Sequence, residues 1–275
     1  MVNEYAPETL REALEIRQRE RVTPHGGGTD LMVEHSRTGT YLFLHRIPEL
    51  KEIQTDDTHL RIGAACTFTQ VEEHPQTPKI LKEAISRIAA PAIRNLGTMG
   101  GNIGNGSAKA DSVLILFALN AELRIQSADR ERVIPIRDFY KGRKELDLAE
   151  DELIVEILIP RKIPTQYTYH KIGARAALAI SRLSFAGLWT VEGGVITACA
   201  TAFGAIEQIV VRKPEIDQIL IGTQLVDISQ TAERYLEVYQ EALNPIDGRI
   251  SAAYRKTVCM NLLRDFIERI KNTEG

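Results

Sequence analysis

Apolar and polar positions along the first 160 residues follow helical and strand spacing in turn. Thr9 with Glu12 forms a capping-box pattern ahead of apolar residues, which predicts a helix over residues 8–20. Apolar spacing of three and four residues predicts further helices, and short apolar runs predict strands. The predicted helices cover 80–89 and 113–119, and the predicted strands lie near Val22 and at 41–44, 60–64, 121–125, 133–134 and 153–159. This order predicts two small units of mixed helix and strand, the first ending near residue 55.

The pattern changes after Pro160 and Pro164, where long β-prone runs are followed by helices. Strands are predicted over 167–172, 183–191 and 195–203, the last two joined by a turn at 192–194. Helices are predicted over 229–242 and 251–271. We therefore expect an α+β protein with a first domain over 1–163, divided into 1–55 and 56–163, and a second domain over 164–275.

The composition argues against several functional classes, including nucleic-acid binding, membrane insertion and iron–sulfur chemistry. The chain has 275 residues and a formal net charge of -3, which offers no bulk attraction for nucleic acid. Neither a signal peptide nor a membrane span is visible, so the expected location is the cytoplasm. The three cysteines, Cys66, Cys199 and Cys259, are widely spaced, and no metal or iron–sulfur motif is present. Redox chemistry would therefore need a bound organic cofactor.

Two glycine-dense segments are the candidates for ligand binding. Residues 94–111 contain five of the chain's 19 glycines, and residues 26–30 read Gly-Gly-Gly-Thr-Asp. The longer segment is predicted to be a loop, and a long polar loop inside a compact domain is usually functional. The shorter one, taken alone, is more often a tight turn. His25 beside it fits a turn residue, with covalent flavin attachment as the less favoured alternative.

A diphosphate would suit both loops, because exposed backbone amides and hydroxyls such as Thr29 and Thr98 bind phosphate oxygens. Neither loop matches a Rossmann fingerprint or a phosphate loop of the Gly-Lys-Ser/Thr type. Asp111 would repel phosphate but could accept hydrogen bonds from sugar hydroxyls. The pattern therefore favours a dinucleotide that carries both sugars and phosphates.

Together these residues resemble the FAD-binding subunit of the xanthine dehydrogenase family of molybdenum hydroxylases. The resemblance covers nearly the whole chain. It is carried by segments 25–31, 60–64, 94–103, 107–111, 169–171, 177–181 and 251–255, together with Thr67 and Arg175. It implies a two-part FAD-binding domain of the PCMH type, followed by a domain like the C-terminal domain of CO dehydrogenase flavoproteins.

The resemblance also implies roles for individual residues. The cofactor would be FAD, and the first loop would hold its diphosphate. Asp111, nine residues after Asn102, would contact its sugar portion, and Lys171 would lie near the flavin ring. Without the resemblance, Lys171 would be read as an exposed strand lysine. The implied contacts are Gly26, Gly27, Gly28, Thr29, Asp30, Thr98, Gly101, Asn102, Ser107, Asp111 and Lys171.

The implied activity is electron transfer within a complex. A partner subunit with 2Fe-2S clusters would deliver electrons to FAD, a molybdopterin-binding large subunit would hydroxylate the substrate, and NAD or another acceptor would receive the electrons. Asn105 and Gly106 resemble the corresponding residues of bacterial xanthine dehydrogenases, which favours a purine substrate. The family's Ser-Pro-x-Ser-Asp is replaced at 107–111 by Ser-Ala-Lys-Ala-Asp. Two alternatives stay open: a self-sufficient FAD oxidoreductase with its own small substrate, and a cofactor-free scaffold subunit.

Overall fold

The computed structural model describes residues 2–34 and 39–273, which form two compact units. The first unit contains the residues up to 107 together with 120–161, and the second contains 108–119 together with the residues from 162 onward. A single boundary near residue 163 stays a prediction of the sequence. The structure places segment 108–119 in the second unit, although it precedes that boundary in the chain.

The first unit begins with a small parallel sheet. Its elements are β1 (Val2–Tyr5), α1 (Leu10–Arg19), β2 (Thr23–His25), α2 (Leu31–Glu34) and β3 (Gly39–Phe43). The strand order is β1-β3-β2, with His25 opposite Phe43. Helix α1 starts where predicted, because the Thr9 side chain accepts a hydrogen bond from the Glu12 amide. The apolar face of α1 packs with the inner residues of β3 in one core.

The remainder of the first unit is built on a five-stranded antiparallel sheet. Along the chain its elements are interrupted by one helix of the second unit, α7. The elements are β4 (Ile53–Thr55), β5 (His59–Gly63), α3 (Phe68–Glu73), α4 (Lys79–Ser86), α5 (Pro91–Arg94), α6 (Met99–Gly104), α7 (Asp111–Ala118), β6 (Glu122–Gln126), β7 (Glu131–Pro135), α8 (Ile136–Phe139), β8 (Tyr140–Gly142), β9 (Glu145–Leu146) and β10 (Leu153–Pro160). The sheet order is β4-β5-β10-β6-β7. Strand β10 lies at its centre, which explains its nearly continuous apolar sequence.

The glycine-dense segment departs from the sequence prediction. Pro91 is the first residue of a short helix, α5, where its missing amide costs no hydrogen bond. Residues 99–104 form helix α6 instead of the predicted loop. Thr98 caps α6 by accepting a hydrogen bond from the Gly101 amide at 3.1 Å. Helix propensity disfavours three glycines in six residues. Contacts of α6 with neighbouring segments outweigh that preference.

The second unit is a four-stranded antiparallel sheet with helices. Its further elements are β11 (Gln166–Ile172), β12 (Leu183–Glu192), β13 (Val195–Gly204), β14 (Val211–Arg212), α9 (Pro214–Asp217), α10 (Ile228–Ala242) and α11 (Ala252–Lys271). The strands follow the order β11-β12-β13-β14. Gly193 and Gly194 both have positive φ angles, as a tight hairpin turn between β12 and β13 requires. Helix α7 packs on β12 and β13.

A buried polar network joins β13, β14, α9 and α10 in this second unit. Asp217 forms an ion pair with Arg212 and accepts hydrogen bonds from the amide and hydroxyl of Thr201, at 2.9 and 2.6 Å. The hydroxyls of Tyr235 and Tyr239 donate to the same carboxylate at 3.1 and 3.2 Å. Each oxygen of Asp217 therefore has partners, as a buried charge requires.

Within the part of the chain that the structure describes, no helix is both long and apolar enough to cross a membrane.

Candidate functional site

The first glycine loop follows strand β2 directly. The His25 carbonyl still accepts a hydrogen bond from the Leu44 amide at 3.0 Å, so the sheet continues to the start of the loop. The His25 ring turns back over its own loop, with its centroid 4.5 Å from that of Phe43. Gly28 has a φ of +68°, and a Cβ there would lie 2.3 Å from Nε2 of His25. His25 therefore supports the shape of the loop, as a turn residue does.

The second glycine segment is held by backbone pairing with residues 64–68. The Phe68 amide donates to the Gly97 carbonyl at 2.9 Å, and the Met99 amide donates to the Cys66 carbonyl at 3.0 Å. The Gly100 amide donates to the Ala64 carbonyl at 2.8 Å. Together with the cap at Thr98, these bonds use the amides in the first turn of α6. This turn is consequently bound to the protein itself.

The two glycine segments contact each other through their backbones. A Cβ on Gly27 would lie 1.8 Å from the Leu96 carbonyl oxygen, and a Cβ on Gly26 would lie 2.5 Å from Oγ1 of Thr98. Both distances are too short for any side chain. These glycines are thus required for the packing of one loop on the other, in addition to any approach of a ligand.

Amides of the first loop have no such partners. Among the hydrogen bonds of residues 2–34 and 39–273, none uses the amide of Gly27, Gly28 or Thr29. All three residues are partly exposed. Adjacent amides without an acceptor form a concave group of donors that suits an anion.

These amides line a cavity of about 430 Å³ that lies entirely within the first unit. Its wall combines the glycine segments with an apolar side. The lining includes Gly26, Gly27, Gly28, Thr29, Asp30, Thr98, Gly101 and Asn102, with Leu44, Ala65, Phe68, Leu148, Leu153 and Ile154. Eight of the predicted site residues therefore meet at one cavity. Ser107 belongs to the same unit but not to this lining.

Asp111 and Lys171 lie in the second unit and form an ion pair. Nζ of Lys171 lies 2.7 Å from Oδ2 of Asp111, and both side chains are largely buried. The Ser181 hydroxyl donates to Oδ1 of Asp111 at 2.6 Å. Each carboxylate oxygen thus already accepts one hydrogen bond within this unit and keeps a second lone pair.

Two basic residues of the cavity lining were not anticipated as site residues from the sequence. Arg17 lines the cavity from helix α1, and Lys144 lines it from the turn between β8 and β9 with a φ of +58°. Arg17 follows Ala13 by four residues and Leu14 by three, so helical spacing placed it on the buried face. That spacing was the available signal. Lys144 offered none, because only the folded turn brings it to the cavity.

Comparisons with known proteins agree with this architecture. The family described as the FAD binding domain in molybdopterin dehydrogenase matches residues 1–162, and the CO dehydrogenase flavoprotein C-terminal domain matches residues 168–270. The nicotinate dehydrogenase FAD-subunit of Eubacterium barkeri is 28% identical, over 98% of this chain and 97% of that protein. The xanthine dehydrogenase FAD-binding subunit of Escherichia coli O157:H7 is 34% identical, over 90% of this chain and 88% of that protein.

The fold is also found in solved structures. A chain of reconstituted CO dehydrogenase from Oligotropha carboxidovorans superposes with a TM-score of 0.89 and 25% identity, covering 98% of each chain. These matches confirm the expected fold class and FAD as the cofactor. The chain belongs to the family of FAD-binding subunits of the xanthine dehydrogenase and molybdenum hydroxylase type.

Proposed function

We propose that this chain is the electron-transfer subunit of a molybdenum hydroxylase complex whose substrate is a purine such as xanthine. Its partners are a 2Fe-2S subunit and a molybdopterin-binding large subunit, and NAD or another acceptor receives the electrons. When bound, FAD supplies the exchange between single-electron and hydride transfer. The 34% identity to a bacterial xanthine dehydrogenase subunit supports the purine assignment. The cytoplasmic location stays a prediction of the sequence.

The observation that carries this proposal is the group of amides at residues 27–29, which have no acceptor within residues 2–34 and 39–273. We assign Gly26, Gly27, Gly28, Thr29 and Asp30 to the diphosphate of FAD. The cavity that they line has about 430 Å³, within the range of roughly 300–1,000 Å³ that is usual for small-molecule sites. The residues present therefore fit the cofactor.

The second glycine segment has a different part in the same cavity. Oγ1 of Thr98 accepts from the Gly101 amide, so its own hydrogen remains available to the cofactor. Gly101 and Asn102 add backbone and side-chain contacts, and we also assign to the cofactor the hydroxyl of Ser107, which lies outside the cavity lining. Because the first-turn amides of α6 are bound to protein, this segment mainly supports the first loop.

From the second unit we assign Lys171 to the flavin ring and Asp111 to the sugar hydroxyls. The positive charge of Lys171 stabilises negative charge on the reduced cofactor, and Asp111 orients the ammonium group through their ion pair. Asp111 also weakens the field of Lys171, because the opposite charges lie 2.7 Å apart. The two residues therefore act on the flavin potential in opposite directions.

Flavin binding tests the proposal directly. The purified full chain should show the blue and near-ultraviolet absorption of bound flavin, or acquire it on addition of FAD. Coexpression with the two partner subunits should then give xanthine-dependent reduction of NAD or another acceptor. Absence of flavin binding would favour the cofactor-free scaffold. Reduction of the flavin by a small substrate without partners would favour the self-sufficient oxidoreductase.

The flavin potential tests the roles of Lys171 and Asp111. Lys171→Met should lower the midpoint potential and Asp111→Asn should raise it, since each removes one of two opposed charges. A two-electron potential moves by about 30 mV for about 1.4 kcal/mol, so effects of this order are measurable by dye-coupled titration. Arg175→Met, which removes an exposed positive charge near Lys171 in the sequence, is the control. Shifts of the same sign in both variants would remove the pair from the flavin site.

A further inference from the structure

Arg17 combines burial with a position in the cofactor cavity. It lies on the buried face of α1 and retains only 9% of its exposure. Arg17 lines the same cavity as the first glycine loop. Arginine is almost never fully buried in a protein unless its charge is paired. Its surroundings therefore need a partner for the charge.

The described residues give the guanidinium of Arg17 neutral hydrogen-bond acceptors but no counter-charge. Nη1 donates to the Val22 carbonyl at 2.8 Å, Nη2 approaches the Ala149 carbonyl at 3.5 Å, and the buried Nε has no acceptor. No carboxylate of residues 2–34 and 39–273 forms an ion pair with it, and burial lowers the pKa of Arg17. The guanidinium is thus held by neutral oxygens alone.

The two carboxylates that act on Arg17 through space form ion pairs with other arginines. Glu150 pairs with Arg21 at 3.0 Å, and Asp151 pairs with Arg130 at 2.9 Å. Both still raise the pKa of Arg17 through space, against the larger effect of burial. An unneutralised buried charge is strongly destabilising, and an anion brought by a ligand would offset that penalty.

A second buried arginine shows what the cavity adds. Arg255 in the second unit retains 5% of its exposure, donates from Nη1 to the Ile246 carbonyl and also has a buried Nε without an acceptor. Carbonyl oxygens alone can therefore hold an arginine for structural reasons. Arg255 lines no part of the cofactor cavity, whereas Arg17 does. Position, together with burial, distinguishes the two.

We propose that Arg17 is an anion-recognising residue of the cofactor cavity, where its guanidinium stabilises the diphosphate of bound FAD. The inference rests on the proposed function. A diphosphate carries negative charge that neutral amides at residues 27–29 can solvate but not neutralise. Arginine adds a permanent charge and a fork of donors that matches phosphate oxygens. In the absence of FAD, the two carbonyl bonds hold the side chain in place.

The test measures FAD affinity of the full chain, freed of flavin, for the natural protein and four variants. Arg17→Met should weaken FAD binding about tenfold or more, the effect expected for loss of a hydrogen bond to a charged group. Arg17→Lys, which keeps the charge, should lose less. Arg19→Met removes an exposed arginine of the same helix and should bind FAD like the natural protein.

Salt dependence and thermal stability separate recognition from a structural role. FAD affinity of the natural protein should fall with added salt, and Arg17→Met should show a smaller slope. The melting temperature of the flavin-free Arg17→Met variant should equal or exceed that of the natural protein. Arg255→Met should instead melt lower while keeping the salt slope. Unchanged FAD affinity in Arg17→Met, or an unchanged slope with a lower melting temperature, overturns the inference. Failure of the natural protein to bind FAD overturns the proposed function with it.

Discussion

Arg17 in the first unit and Arg212 in the second are both buried, but only one has a counter-charge. Arg212 pairs with Asp217, whose carboxylate also receives hydrogen bonds from a threonine and two tyrosines. Among the residues that the structure describes, Arg17 has carbonyl oxygens and no carboxylate. The buried Nε has no acceptor in either arginine, so the counter-charge is what distinguishes them. A buried charge that the protein already pairs indicates a structural role, whereas an unpaired one at a cavity indicates that a ligand supplies the counter-charge.

The two glycine segments of the first unit differ in the same way. The amides at the start of α6 are satisfied by the carbonyls of residues 64 and 66 and by the Thr98 side chain, whereas those at 27–29 have no acceptor among the residues that the structure describes. The longer segment, which has the larger number of glycines, is thus mainly a support. The shorter one offers the donors. Glycine content alone therefore does not identify the binding loop.

Removal of the counter-charge of Arg212 should have the largest effect on stability. Asp217→Ala leaves Arg212 buried without an anion, which typically destabilises a protein by about 3–5 kcal/mol. Urea unfolding followed by fluorescence of Trp189, the single tryptophan, reports the second unit. Asp265→Ala is the control, because its ion pair with Arg269 is exposed and should be worth less than about 1 kcal/mol.

The double variant Arg212→Met with Asp217→Leu sharpens this result. Replacement of both charges by apolar side chains removes the unpaired cation, and such exchanges of buried pairs are often neutral or stabilising. Most of the stability lost in Asp217→Ala should return. A double variant as unstable as Asp217→Ala would show that the hydrogen bonds to Thr201, Tyr235 and Tyr239, rather than the pairing of charges, dominate.

A methyl group on Gly27 should break the contact between the glycine segments. Its Cβ would lie 1.8 Å from the Leu96 carbonyl oxygen, so Gly27→Ala must separate the loops. FAD affinity should fall about tenfold or more through the displaced amides, and the flavin-free protein should melt at a lower temperature.

Gly104→Ala is the matched change within α6. The nearest atom to its Cβ is Cδ1 of Ile154 at 4.0 Å, so the methyl group fits. Gly104 is the last residue of α6, and an alanine there should stabilise the flavin-free protein by less than about 1 kcal/mol. Equal melting temperatures of the two glycine variants would contradict the assigned contact between the loops.

Thiol labelling should give the smallest effects and report each unit by itself. Burial raises the pKa of Cys66 in the first unit to about 11 and that of Cys259 in the second to about 12. Both thiols are therefore protonated at neutral pH and should react only when their unit opens. Added FAD should slow the labelling of Cys66, because a ligand that binds only the folded state stabilises it.

The same labelling experiment distinguishes the two networks. Asp217→Ala should accelerate the labelling of Cys259 more than that of Cys66, since the lost carboxylate lies in the second unit. Mass spectrometry of quenched samples gives the rate at each cysteine, and urea supplies the fully labelled reference. Equal acceleration at both cysteines would show that the units do not open separately.

Local signals made several elements predictable. The Thr9 cap and the paired glycines at 193 and 194 each act within a few residues, and both form as expected. The Glu12 side chain accepts from the Glu8 amide, so the reciprocal half of the predicted capping box does not form. The strands and the long helices follow from apolar spacing for the same reason. Helix α6 was missed, because its glycines oppose a helix locally and only contacts with residues 64–68 stabilise it.

By itself the sequence determined the order of the longer helices and strands, the two glycine segments and, through its motifs, the family and its FAD. These properties depend on residue types and spacings along the chain. Only the tertiary structure decided which glycine segment keeps its amides available and that Lys171 pairs with Asp111, 60 residues away. It also decided that Arg17 is buried at a cavity and forms no ion pair with a carboxylate of the described residues. Such properties depend on which distant groups meet, and spacing along the chain does not specify that.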